Sequence, residues 1–264
     1  MVIGGSPCTK WSIAQGSTRE IEPAGIGWEL FENFLIAVNK LKPDFFLYEN
    51  NKSAAQPIKD QISRKLGAKL VYINSALVSA QNRERFYVFN WDVEQPEDRR
   101  ISLQSILEFG ETDRLKSKTI RVGGAGSKWG DRHEWDMPNP YRRYTITELE
   151  RLQTLPDGYT RAVNEAQGRK GLGNGWTAEV IIHILNGALK DVPRDEDIVV
   201  LSMYDGIGTG RYCLDKMGFT NVTYYAYEID EPAIKIALSN YPDIIQLGDA
   251  FDLRRDDWEL GKRF

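Results

Sequence analysis

The segment 198–217, IVVLSMYDGIGTGRYCLDKM, decides how the rest of the chain is read. Ile198 to Met203 is an apolar, β-branched run of strand length, and helical spacing begins near Gly210 and runs to Met217. Between them lies Tyr204-Asp205-Gly206-Ile207-Gly208-Thr209-Gly210. Strand, glycine turn and helix in that order open an α/β unit. The glycines let backbone approach a ligand, and the helix start offers unpaired N–H groups to it. The spacing is GxGxG, not the GxGxxG of dinucleotide-binding folds, which disfavours a nicotinamide dehydrogenase. Glu228 ends the next strand, 23 residues after Asp205, where an acid can accept from both ribose hydroxyls. Gly248-Asp249 ends the strand after that, placed to meet an adenine amino group. Three acids at three successive strand ends point to a nucleoside ligand. The structural alternative is a set of helix caps, a role Asp and Glu also fill at such ends.

Outward from this segment the same alternation recurs. Strands are expected at 1–5, 45–48, 69–73, 85–90, 222–227 and 244–247. Helices are expected near 27–41, 54–66, 145–155, 177–189 and 232–239. Strand–helix alternation predicts an open parallel α/β sheet. Residues 91–142 break the rhythm with GGAGSKWGDRHEW and MPNPYRR. This divides the chain into residues 1–90, a small irregular insert at 91–142, and residues 143–264. With 264 residues, 41% of them hydrophobic and 27% charged, the chain can bury a core without covalent staples. Two cysteines allow neither a disulfide framework nor a four-cysteine zinc site. His133 and His183 have no metal-ligand partners nearby in sequence, and no metal is expected. No apolar run reaches the length of a membrane span, and MVIGGSPC is no signal peptide, so a cytoplasmic enzyme is the expectation.

The formal net charge of −4 hides an asymmetry. Residues 99–143 carry ten Lys/Arg against six Asp/Glu, and residues 191–264 carry eight against fifteen. A basic segment in an acidic chain can still track phosphates, although a solvated loop reads the same way. At the other end, Cys8 follows Ser6-Pro7 after the first strand, where ligands of open α/β sheets bind. A Gly-Gly-Ser-Pro-Cys turn is a poor place to bury a thiol as a mere hydrophobe. Cys213, mid-helix beside Tyr212 and Leu214, suits that structural role better. Glu49 stands at the end of the next strand in Tyr-Glu-Asn-Asn, and Gln81-Asn82-Arg83-Glu84-Arg85 leads into a third.

Together, SPC, YEN, QNRER, TITELERLQTLPDGY and GNGWTAEVIIHIL resemble the ordered motifs of DNA cytosine-5 methyltransferases. DGIGTG, YEID and GDAFDL resemble that family's S-adenosylmethionine motifs. In detail the chain looks most like the vertebrate de novo branch. The order differs from the common one, since here the Pro-Cys strand comes first and the cofactor motifs last, as in a circular permutation. The resemblance implies a Rossmann-like S-adenosylmethionine-dependent methyltransferase sheet with a small target-recognition insert. It implies Cys8 as nucleophile, Glu49 on ring nitrogen 3, Arg85 on the base carbonyl, and Arg83 in support. It implies Asp205, Gly206, Ile207, Gly208, Thr209, Gly210, Glu228, Ile229 and Asp249 around the cofactor, with Asn174 and Trp176 closing over it. Thr9 to Ile26 would form a moving clamp. Lys128, Trp129, Arg132, Arg142 and Arg143 are the candidate contacts to double-stranded DNA, each equally readable as loop packing or solvated charge.

Three functions follow from these readings. The first is methyl transfer to carbon 5 of cytosine in DNA, with a covalent cysteine step and base flipping. The second is the same chemistry on tRNA. The third is a catalytically silent homologue that binds DNA or a partner, disfavoured because Cys8, Glu49, Arg85 and the cofactor acids are all present.

Overall fold

The computed structural model describes residues 1–120 and 142–255. Its centre is a seven-stranded sheet of β1 (Val2–Gly4), β2 (Phe46–Asn51), β3 (Leu70–Asn74), β4 (Glu84–Phe89), β5 (Ile198–Met203), β6 (Val222–Tyr227) and β7 (Ile245–Gly248). The helices are α1 (Gly25–Leu41), α2 (Gln56–Leu66), α3 (Ile146–Leu152), α4 (Glu165–Asn174), α5 (Ala178–Leu189), α6 (Thr209–Lys216) and α7 (Glu231–Asn240). Spatial order across the sheet is β3-β4-β2-β1-β5-β6-β7. The strand that comes first in the chain therefore lies in the middle, parallel to β2 on one side and to β5 on the other.

Alternation along each strand splits the interior into two cores. Val2, Phe46, Tyr48, Phe86, Val88 and Leu201 face a layer formed by α1 and α2. Ile3, Leu47, Tyr87, Phe89, Val200 and Tyr224 face the layer of α5, α6 and α7. Continuous apolar strands buried on both faces are what covered parallel sheets require. Each fully buried Leu, Ile or Phe contributes roughly 1.5–3 kcal/mol, so the two cores carry most of the stability.

The sheet departs from the all-parallel expectation at β4, which runs antiparallel to both β2 and β3. Only residues 75–83 separate β3 from β4, and a parallel return needs a crossover of a dozen residues or more. Helix α4 was not expected from sequence. Its stretch EAQGRKGLGN contains three glycines, which lower helix propensity. It forms because Asn164 and Gln167 cap its start reciprocally and because Gly168, Gly171 and Gly173 bury against neighbours.

Residues 91–120 are irregular apart from a 3-10 turn at Gln104–Ile106, yet they are tied to the core. Leu103 and Ile120 are buried in it. Lys116 Nζ donates to the carbonyls of Ala76, Ser79 and Ile101 at 2.6, 2.9 and 2.7 Å. Among the described residues, no helix is long and apolar enough to cross a membrane.

Candidate active site

Successive connections leave β1 and β5 in opposite directions, β1 towards β2 and β5 towards β6. The crevice between their carboxyl ends is the switch point at which open α/β sheets bind ligands. A cleft of about 270 Å³ opens there. One wall carries Cys8, Glu49, Arg83 and Arg85, the other Asp205, Gly206, Ile207, Thr209 and Glu228, and Asn174 and Trp176 border both.

The turn that presents Cys8 is held by Asn50. Its Nδ2 donates to Ser6 O at 2.9 Å and to Tyr48 Oη at 3.0 Å, and Ser6 Oγ lies 2.6 Å from the same phenol. Glu49 sits within β2, opposite Tyr87. Arg85 Nε lies 3.2 Å from Glu49 Oε1, and Trp176 Nε1 donates to Glu49 Oε2 at 3.0 Å. Burial pushes the Glu49 carboxyl above its ordinary value, while Arg85, Arg83 and the indole pull it back.

The surroundings also raise the Cys8 thiol, where depression would have suited a nucleophile. Burial is the larger cause, the Glu49 carboxylate comes second, and Arg85 and Arg83 oppose both. Arg83 does not touch Glu49 by hydrogen bond. It donates to the carbonyls of Gly173, Gly175 and Ile120 at 3.0, 2.9 and 3.3 Å. Burial and the neighbouring Arg85 push it down to about 9, still charged at neutral pH. Its place is that of a strut between the approach to β4, the end of α4 and Ile120 within the insert.

On the other wall, Tyr204, Gly206 and Gly208 all have φ near +60° to +80° (61°, 64° and 79°). Glycine takes that region freely; Tyr204 does not. Its hydroxyl holds it there, donating to Leu30 O at 2.8 Å and accepting from Asn33 Nδ2 at 3.1 Å. A side chain at Gly210 would come within 2.3 Å of Tyr224 Oη. Asp205 Oδ1 accepts from that phenol at 2.7 Å, while Oδ2 is buried without a partner, as is Thr209 Oγ1. Burial, with Glu228 nearby, pushes Asp205 up to about 6. Two orphaned oxygens in a cleft wall fit a ligand bearing donors, such as an ammonium or hydroxyl group.

Glu228 fills the capping role. Its carboxylate accepts from the N–H groups of Gly206, Ile229 and Asp230, each at 2.8 Å. It thereby staples the glycine turn to the start of α7. Ile229 is 68% exposed at the rim. Asp249 lies apart from the cleft lining and caps the turn Ala250–Arg254 through Phe251 N.

Of the candidate DNA contacts, Lys128, Trp129 and Arg132 lie outside the described residues, as does His133. Arg142 is spent on packing. It grips Glu148 at 2.6 and 2.7 Å and stacks on the Phe109 ring at 3.9 Å. Arg143 is exposed. His183 Nε2 meets Glu94 O at 2.8 Å, a structural role, and Cys213 is buried in α6. The expected clamp is partly anchored, since Trp11 is fully buried and Arg19 donates to Trp11 O and Ser53 O.

Several site residues escaped the sequence reading. Gln153 joins the loop around Trp176 to the rest by donating to Leu172 O and Gly175 O and accepting from Thr177. Gln81 continues this buried network to Ile120 N. Lys170 and Asp230, both in the cleft lining, pair with each other. The adjacency of Gln153 to the capped helix α3 was the one signal for the first; Lys170 carried none.

The sheet order and the switch-point cleft are those of a Rossmann-like methyltransferase. Residues 1–121 match the family described as C-5 cytosine-specific DNA methylase. That match covers Cys8, Glu49, Arg83 and Arg85 and supports a DNA cytosine-5-methyltransferase. Enzymes of this family use S-adenosylmethionine and act on DNA.

Proposed function

We propose that this chain transfers a methyl group from S-adenosylmethionine to carbon 5 of cytosine through a covalent Cys8 adduct. One observation carries the reading: a single cleft brings Cys8, Glu49 and Arg85 to face the glycine turn and Asp205 across the switch point. The orphaned Asp205 Oδ2 and Thr209 Oγ1 support a donor-bearing cofactor on that wall.

Bound there, S-adenosylmethionine supplies an electrophilic methyl group. The residues of this chain prepare the base. Cys8 Sγ adds to ring carbon 6, Glu49 holds a proton at nitrogen 3, and the electron pair reaches carbon 5 as an enamine. Carbon 5 would take the methyl group, the donor leaving as S-adenosylhomocysteine; the carbon 5 proton passes to a base such as water, and the Sγ–carbon 6 bond breaks to release Cys8. Arg85, already on Glu49, is placed to meet the carbonyl of the base. Cys8 and Glu49 are both largely buried, so the target cytosine must leave its duplex, at a cost of a few kcal/mol.

The thiol shift fits this order of events. Once Glu49 carries a proton at nitrogen 3, one of the two causes that raise Cys8 is gone; burial still raises it, and Arg85 and Arg83 still lower it.

Within the family we place the chain as a circularly permuted member whose motifs are most similar to the vertebrate de novo branch. The central position of β1 supports this, as does the packing of Ala250–Arg254 beside α1, where Lys40 donates to Leu253 O. Bisulfite sequencing of DNA from cells expressing the chain is the test. Cytosines protected by the parent and unprotected with Cys8→Ala, which still binds cofactor, are expected. Equal protection by both chains sinks the covalent reading.

A further inference from the structure

We infer that Trp176 is a positioning residue for Glu49: the indole N–H fixes one carboxyl oxygen while Arg85 holds the other. The distances are 3.0 Å from Trp176 Nε1 to Glu49 Oε2 and 3.2 Å from Arg85 Nε to Oε1. The carboxyl is gripped from two directions, by β4 and by the loop between α4 and α5. Its plane is thereby set.

Three further features make this a built arrangement. Gly5 passes under the pair without a side chain, and a Cβ there would lie 2.9 Å from Glu49 Oε2 and 3.5 Å from Trp176 Nε1. Gly175, just before Trp176, has its carbonyl fixed by Arg83 at 2.9 Å and Gln153 at 3.1 Å. Thr177, just after it, donates to Gln153 Oε1 at 2.8 Å and accepts from Ser75 Oγ at 2.9 Å. Both neighbours of the tryptophan are thus locked by buried polar groups, and the ring is half-buried with its N–H aimed at the acid. A ring kept only for packing would not need that aim. Trp11 is fully buried and its Nε1 meets no partner.

The titratable and charged groups facing Glu49 are Arg85 and Tyr87 from β4, Arg83 just before it, Tyr48 from its own strand, and Cys8 from the turn after β1. Trp176 is the neutral donor among them. A hydrogen bond to a carboxylate favours the ionised form, so removing the N–H frees the carboxyl to rotate and to hold its proton to higher pH. The contact stands on its own geometry; its kinetic consequence rests on the methyl-transfer reading.

Two measurements on the full chain separate these. In proton–nitrogen spectra the Trp176 indole resonance is the one missing from Trp176→Phe. Titrated from about pH 4 to 9, it should move with the ionisation of Glu49 and stop moving in Glu49→Gln. A resonance that does not titrate, or still titrates in Glu49→Gln, overturns the inference whether or not the chain methylates DNA. In turnover, Trp176→Phe keeps a ring at the cleft and loses only the donor. Its kcat should fall about tenfold, with the Glu49 limb of the pH profile moved to higher pH and the cofactor Kd within about twofold of the parent. A loss confined to cofactor Kd, with the limb unmoved, assigns the tryptophan to the cofactor and overturns the positioning role.

Discussion

Cys8 and Glu49 oppose each other electrostatically, and that opposition has a measurable consequence. The Glu49 carboxylate raises the Cys8 thiol, second only to burial, and Arg85 and Arg83 lower it. Glu49→Gln removes a negative charge and leaves both guanidinium groups. The sign is a lower thiol pKa, hence more thiolate at a given pH and faster capture by iodoacetamide. The pH midpoint for Cys8 alkylation is expected to fall. Cys213 is fully buried and should contribute no background. An unchanged or raised midpoint would show that the two side chains are not coupled. Much at this scale was legible beforehand. A cysteine in a Gly-Ser-Pro turn and an acid at a strand end are visible as residues, and the fold brings them to one cleft. The direction of the thiol shift was not legible, because burial is a property of the packed whole.

Among the elements, α4 is the most instructive. Three glycines in ten residues read as loop, since each costs about 1 kcal/mol against alanine in a helix interior. The packing explains them. A Cβ at Gly171 would lie 2.7 Å from Ile207 Cγ2, and Ile207 belongs to the glycine turn. Ile207 cannot easily give way, because its carbonyl is held by Tyr159 Oη at 3.0 Å. Gly171→Ala gains roughly 1 kcal/mol of propensity and loses about 1–3 kcal/mol to overpacking. The net expectation is a destabilisation of up to about 2 kcal/mol in denaturant melts, together with weaker cofactor binding. A stabilised variant with unchanged affinity would remove α4 as a support for the turn. The strands were the easier reading, because apolar runs of strand length bounded by turn residues say the same thing locally and globally. Strand β4 escaped in one respect only. Its direction depends on the brevity of residues 75–83, which periodicity does not register.

At the scale of the whole molecule, the placement of β1 carries the prediction. It is the first strand in the chain and the central one in the sheet, bonded to β2 and β5 alike. If the order of segments is a permutation of one architecture, the sheet should tolerate being re-cut. A chain in which residues 192–264 precede residues 1–191 should fold cooperatively, with the same far-ultraviolet dichroism and retained DNA methylation. A re-cut chain that is unfolded would show that β1 needs to lead. The two-faced core explains why tolerance is expected. The five inner strands, β1 among them, have neighbours on both sides, and the sheet has a core on each face, so few of their contacts depend on which segment was made first.

The fixings on either side of residues 121–141 have a bearing on evolution. On the near side, Lys116 is bonded to three carbonyls and Ile120 N to Gln81. On the far side, Arg142 is clamped to Glu148, a buried residue of the capped helix α3. Both stems rest on posts that belong to the catalytic body. If the proposed recognition role belongs to the segment between them, a lineage that rewrote that segment would inherit both moorings unaltered, and with them the chemistry of the cleft.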